Sequence, residues 1–304
     1  MAGPVVVLAG GTGGARLARG LLDEAGPDLV VIANTGDDIE IHGAHVSPDP
    51  DLCAYWLADR IDSRGWGLDG DTFHVMDGLR DLGEEVWFNL GDRDLAVCLQ
   101  RARRLAEGAT LTQALAELTA ALGIEHARVL PMTDAPVRTR VRARGRETGL
   151  QEFMIRERAG GPIEDIRFEG ADTAVPTSEV LAALATARAI IIGPSNPVIS
   201  IGPILAIPGM TDALVRAPAP VVAVSPIVGG TVLKGPTASC MQWAGRTVDA
   251  AGVAATYAGV IDGLVCDEPC DLLPALQTTT RMDDAEARRR LAYETLRFTE
   301  ALRT

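Results

Sequence analysis

Four aspartates fall in two short loops near the start of the chain, Asp37 and Asp38 in NTGDD at 34–38, Asp49 and Asp51 in SPDPD at 47–51. Carboxylate oxygens at this density suit Mg²⁺, a hard cation that keeps several waters and needs one or two carboxylates plus a substrate phosphate. The same residues also suit turns and caps: Asp37 and Asp38 an Asx-turn, Asp49 or Asp51 the start of a helix. A second group offers hydrogen bonds and positive charge. Gly10, Gly11, Thr12, Gly13 and Gly14 form a glycine-rich turn after the apolar run Val5 to Ala9. Without Cβ atoms such a backbone can approach an anion, and the first N–H groups of the following helix face it. The stretch 193–205 carries Ser195, Asn196 and Ser200 between prolines, and Lys234 lies beside Gly235; both suit a nucleotide phosphate or base. In the loop 89–94, Asp92 and Asp94 fit a helix N-terminus. Arg93 opposes the helix dipole there unless an anion lies near.

The glycine spacing fails on detail for two familiar ligand classes. A dinucleotide turn needs G-x-G-x-x-G, but counting from Gly11 the third position is Arg16, and the second apolar run, Leu29 to Ala33, ends at Asn34 rather than an acid. A P-loop needs lysine after its last glycine, and none follows here.

The elements that must hold these loops are strands alternating with helices at both ends of the chain. The pattern predicts an α/β protein, a Rossmann-like parallel sheet with a mostly helical insertion: residues 1–50 and 124–304 form the nucleotide-binding core, and 51–123 the insertion contributing to the acceptor site. Helices are predicted over 52–61, 95–105 and 111–122, the last capped by Thr110. Short strands are predicted at 129–130, 137–141 and 153–155, and buried strands at 189–192, 221–224 and 264–266. Asp283, Asp284 and Glu286 open a last helix whose later turns carry Arg288 to Arg290 and Arg297.

With 304 residues, 47% hydrophobic and 4% aromatic, the chain can bury a large aliphatic core. A formal net charge of −13 argues against a nucleic-acid surface, and no apolar run approaches the length of a membrane span. Five cysteines without a C-x-x-C pair read as reduced core residues, and the four histidines form no ligand set. The opening residues lack an export signal, so a cytoplasmic location is expected.

In several separated motifs the chain resembles the 2-phospholactate transferases, whose bacterial form is called phosphoenolpyruvate transferase: GGTGGARLARGL at 10–21, NTGDD, SPDPD, RGWG at 64–67, DTFH at 71–74, LGDRDLA at 90–96, LPMTDAPV at 130–137, GPSNPVISIGPIL at 193–205, SPIVGG at 225–230 and LKGP at 233–236. The resemblance is nearly full length. It implies a guanosine-diphosphate-linked lactate or enolpyruvate donor, a deazaflavin alcohol acceptor, GMP release, Mg²⁺ dependence and a homodimer. The family's acceptor-binding aspartate falls on Asp51, and a lysine contact of some members falls on Asn89, so no charge contact is expected there. On this reading Gly10 to Gly14, Ser195, Asn196 and Lys234 bind the donor. Asp37, Asp49 and Asp51 place the metal or acceptor, and Asp49, Asp51 and Arg93 act in catalysis. A nucleotide-sugar-binding regulator of the same fold is the alternative; an oxidoreductase is disfavoured by Arg16 and Asn34.

Overall fold

The structure, a computed structural model, describes residues 3–233 and 235–302; Lys234 therefore lies outside the described residues. Seven parallel strands form the central sheet. From one edge to the other they are Ala275–Gln277, Gly263–Cys266, Val221–Val224, Ala189–Ile192, Val5–Ala9, Leu29–Ala33 and Ala127–Pro131. The chain starts in the interior of the sheet, winds one way through Leu29 and Ala127, then returns to add strands on the other side. The strand order thus reverses between Val5–Ala9 and Ala189–Ile192, and a doubly wound sheet opens a crevice at such a reversal, beyond the strand ends.

Continuous apolar strands are what a sheet covered on both faces requires. Every residue of Val5–Ala9 is buried, and alternate residues serve opposite cores. Val6 and Leu8 pack with Val180, Leu184 and Ile204; Val5, Val7 and Ala9 pack with Leu17, Leu21, Leu291 and Leu296. The last pair belong to the terminal helix Ala285–Ala301, capped by Asp284 as the acidic start predicts.

Between Leu29–Ala33 and Ala127–Pro131 the chain leaves the sheet, forming a hairpin of Ile39–Ile41 and Ala44–Val46, then four helices: Pro48–Leu57, His74–Asp81, Asp92–Ala106 and Leu111–Ala121. The first starts earlier than 52 because a proline sits comfortably in its first turn, where the missing N–H is not needed. Thr110 and Gln113 complete a reciprocal capping box on the fourth.

A second excursion follows the strand Ala127–Pro131. Arg138–Ala143, Arg146–Gly149 and Ile163–Glu169 build a three-stranded antiparallel sheet. The predicted strand at 153–155 is instead the end of a helix, Leu150–Ile155. Leu150 and Phe153, three residues apart on one face, pack into the same small core as Val141 and Ile166. The short strand predicted at 129–130 is longer, Ala127–Pro131, and forms an edge of the main sheet.

Among the described residues no helix is long and apolar enough to cross a membrane. The five cysteines are free, four of them buried.

Candidate functional site

The opening glycines divide into two kinds. Gly13 lies against the carbonyl of Pro194, which a Cβ would meet at 2.1 Å, and a Cβ on Gly193 would meet Gly14 at 2.9 Å. These close approaches seal the crevice at the strand reversal, joining the turn 10–14 to the loop 193–200. Ser195 takes part in the seal: its hydroxyl accepts the Gly10 N–H at 3.2 Å. Asn196 is likewise turned inward, its Oδ1 accepting Val198 and Ile199 N–H at 2.9 and 3.2 Å while its Nδ2 reaches Thr237. Of the residues expected to bind the donor, Ser195 and Asn196 thus spend hydrogen bonds inside the fold, and Gly13 and Gly14 pack against the loop that follows the strand Ala189–Ile192.

Gly11 differs. It adopts φ +63°, where glycine is unstrained, and its Cβ position meets only the Ser200 hydroxyl, at 3.9 Å. It opens onto a cavity of about 720 Å³ lined also by Asp37, Asp49, Asp51, Asn89 and Ser200. The helix Pro48–Leu57 forms one wall, with Asp49, Asp51, Leu52 and Tyr55 facing inward. The loops around Trp66, Phe73 and Phe88 and the helix Leu150–Ile155 form the rest.

At the Gly11 end, carboxylates replace the anticipated anion. Gly11 N–H donates to Asp49 Oδ1 at 2.5 Å, while Asn34 Nδ2 lies 2.9 Å from Asp49 Oδ2 and 3.5 Å from Asp37 Oδ1. One amide thus bridges two acids. Gln151 Nε2 contributes a further donor to Asp37 at 3.1 Å. Burial pushes the Asp49 carboxyl up to about 6 against the opposing pull of Asn34 and Gly11. It also drives Asp37 well above the usual carboxylate range, with Asp49 and Asp38 adding repulsion. Two buried acids held by neutral donors form a hard, oxygen-rich niche, with no ion pair to either among the described residues, and the residues present fit Mg²⁺ completed by water and a substrate phosphate.

Asp51 does not join them. Its carboxylate is gripped by both terminal nitrogens of Arg101, one of which also donates to the His45 carbonyl at 3.0 Å. Among the described residues no three acidic, histidine or cysteine side chains gather as a metal set, so the trio Asp37, Asp49 and Asp51 is split into a niche of two and an ion pair. Asp38 is also engaged elsewhere, accepting the Ser47 hydroxyl at 2.8 Å and lying 3.1 Å from His45 Nε2.

Arg93 is exposed and turned away from the cavity, its Nη1 donating to the Asp69 carbonyl at 3.1 Å. The anion needed at its helix terminus is internal: Asp71 accepts the backbone N–H groups of Arg93 and Asp94 at 2.9 and 3.1 Å. Asn89 reaches the cavity edge, where its Oδ1 accepts from Arg80 at 2.7 Å.

The other end of the cavity is aromatic. Trp87 and Phe88 meet edge to face with centroids 5.7 Å apart, and Arg64 lies 5.8 Å from the rings of both Trp66 and Phe73. Trp66 is 62% exposed at the rim. Residue chemistry alone did not single out Tyr55, Trp66, Phe73 or Gln151, and it read Asp94 only as part of a helix N-terminus. RGWG, DTFH and LGDRDLA contain three of them, but no periodicity shows that loops so far apart share a wall.

The family model described as 2-phospho-L-lactate transferase CofD matches residues 5–296. The chain is 39% identical to a phosphoenolpyruvate transferase of Kitasatospora aureofaciens, over 98% of each chain. It is 37% identical to a 2-phospho-L-lactate transferase of Methanosarcina mazei, over 87% of each. A crystal structure of a UPF0052 family member from Bacillus halodurans superposes with TM-score 0.64 at 16% identity, covering 97% of this chain and 99% of that one, which shows a shared fold.

Proposed function

We propose a reaction for this chain, which belongs to the 2-phospho-L-lactate transferase family and is a transferase: it moves a phospholactyl or phosphoenolpyruvyl group from a guanosine-diphosphate-linked donor to the ribityl hydroxyl of a deazaflavin alcohol, releasing GMP. The observation that carries the reading is a single cavity with carboxylates and a helix N-terminus at one end and aromatic rings at the other. A planar, largely apolar acceptor suits the rings, and a charged diphosphate suits the other end.

In phosphoryl chemistry the protein mainly positions groups and offsets charge. Asp37 and Asp49 would hold Mg²⁺, which supplies charge neutralisation to the donor's phosphates when bound. Gly11 and Asn34 orient Asp49 by donating to its two oxygens. Ser200 places a hydroxyl beside Gly11 on the donor's side of the cavity. Arg101 fixes Asp51 with its carboxylate at the wall, in reach of the acceptor's polyol. The aromatic walls exclude water from the acceptor ring and leave its hydroxyl chain pointing toward the carboxylate end. No covalent enzyme intermediate is needed. The proposal includes a cytoplasmic homodimer.

Mass spectrometry of products formed from each guanylated donor and a deazaflavin alcohol tests the reading. The acceptor gains the mass of the phospho-three-carbon acid less one water, and GMP is released with the proton of the acceptor hydroxyl. Preferential binding of NAD or of a nucleotide sugar, with no such product, overturns it.

A further inference from the structure

The two acids of the carboxylate niche are not held alike. Asn34 gives its amide to Asp49 at 2.9 Å and reaches Asp37 only at 3.5 Å, the outer limit of a hydrogen bond. The Arg138 guanidinium is spent on the Glu40 carboxylate at 2.5 Å and the Val137 carbonyl at 2.9 Å. The shorter side-chain contact to Asp37 comes from Gln151, whose Nε2 lies 3.1 Å from Asp37 Oδ2 and 3.5 Å from its backbone carbonyl.

Gln151 belongs to the second excursion, not to the loops that follow the main strands. It lies in the helix Leu150–Ile155, directly after the antiparallel hairpin. One face of that helix is anchored: Leu150 and Phe153 pack into the small core with Val198 and Ile199, from the loop after Ala189–Ile192. Gln151, Met154 and Ile155, at spacings of three and four, line the cavity, and Gln151 is the polar one of the three. The same excursion meets the aspartate loop a second time, where the Thr139 N–H donates to the Gly36 carbonyl at 2.6 Å. A backbone contact thus places the loop, and Gln151 places its carboxylate.

We propose that Gln151 is a positioning residue for the metal niche: by holding Asp37 Oδ2 it leaves Oδ1 turned to Asn34, the amide shared with Asp49, so that both acids converge on one divalent cation. The inference rests on the reading of the niche given above and deepens it. A ligating carboxylate that is itself hydrogen-bonded keeps one orientation, and removing such an outer partner typically weakens a metal site about 10–100-fold. A neutral amide suits this role, since it donates without bringing a positive charge against the cation. The niche is then completed by two separate parts of the chain, the loops of the main sheet and the helix of the second excursion.

The test uses the full chain and calorimetric titration with Mg²⁺, with the Mg²⁺-induced rise in melting temperature as a second readout. Gln151→Leu keeps most of the bulk and deletes the donor; it is expected to raise the Mg²⁺ dissociation constant about tenfold. Its kcat/KM falls at low Mg²⁺ and recovers toward wild type as Mg²⁺ is raised. Gln151→Glu keeps the shape and sets a third carboxylate beside Asp37, a charge that a divalent cation offsets, so Mg²⁺ binding is expected to tighten. Opposite signs in the two variants mark a contact to a metal-binding carboxylate. A packing role alone would give a loss in Gln151→Leu that metal does not rescue, and no tightening in Gln151→Glu. Wild-type Mg²⁺ affinity in Gln151→Leu, a loss that excess Mg²⁺ leaves in place, or a Gln151→Glu variant that binds no tighter overturns the proposal. Failure of wild type to bind Mg²⁺ at all is a different result, which removes the reading of the niche and this inference with it. Should Gln151→Leu fail to fold, the sign of the change in the isosteric Gln151→Glu decides the matter alone.

Discussion

Asp49 Oδ1 accepts the backbone N–H of Gly11 at 2.5 Å, so the helix terminus that a phosphate would ordinarily occupy is already capped by a carboxylate of this chain. An anionic donor cannot share that amide with Asp49 on equal terms. It approaches the terminus through a cation bound to Asp49 or displaces the carboxylate, and the second acid at Asn34, Asp37, favours the cation. Asp49→Asn is therefore expected to lower kcat/KM by about a hundredfold or more, in line with the loss of one preorganised charge-stabilising group. It should also abolish the rise in melting temperature that Mg²⁺ gives wild type. A Mg²⁺-induced rise retained by Asp49→Asn would remove this residue from the metal niche.

Acidity should stabilise the metal-free protein over a defined window. The Asp49 and Asp94 carboxyls sit at about 6 and about 7 in the folded chain, above the unfolded value of about 4. Folding thus favours their protonated forms; the stabilising contribution is complete below about 4 and is lost as pH rises through about 6 and about 7. Surface acids held low by arginines, such as Glu117 beside Arg104 and Glu147 beside Arg167, lose their contribution only below the ordinary carboxylate range. A chelated sample should melt about 3 °C higher or more at pH 5.5 than at pH 8. Asp94→Asn should flatten that slope, and a flat wild-type profile would contradict the assignment.

Asp51 and Arg101 form a buried ion pair, the arginine side chain 2% exposed. Arg101→Met leaves an uncompensated buried carboxylate and is expected to cost about 3–5 kcal/mol in denaturant unfolding. Asp51→Asn keeps the shape but not the charge, and raises the acceptor KM if Asp51 contacts the polyol. Unchanged acceptor affinity and turnover in Asp51→Asn would remove it from the acceptor site.

Two neighbouring glycines should behave differently. A Cβ at Gly13 meets the Pro194 carbonyl at 2.1 Å, backbone against backbone, so Gly13→Ala must push two loops apart and is expected to cost several kcal/mol, about 3 or more. Gly11→Ala has space but a left-handed backbone, and should cost about 1–2 kcal/mol. Equal losses in the two variants, read by denaturant melts, would contradict this division.

The sequence by itself determined the sheet. Runs such as Val5–Ala9 and Ala189–Ile192 are apolar at every position, which only a doubly covered parallel strand satisfies, and the acid-to-arginine order of the last helix marks its direction. It also brought forward Asp37, Asp49, Asp51 and Gly11 as residues of one region, because loops following adjacent parallel strands emerge on one edge. Tertiary structure alone decided their partners. Whether Asp51 faces a metal or Arg101 depends on a helix fifty residues away, and whether Gly13 faces a ligand or Pro194 depends on a loop nearly two hundred residues on. Local spacing carries no record of such contacts, since they arise only when distant elements pack. For the same reason Tyr55 and Asp94 share a wall that neither of their local patterns describes.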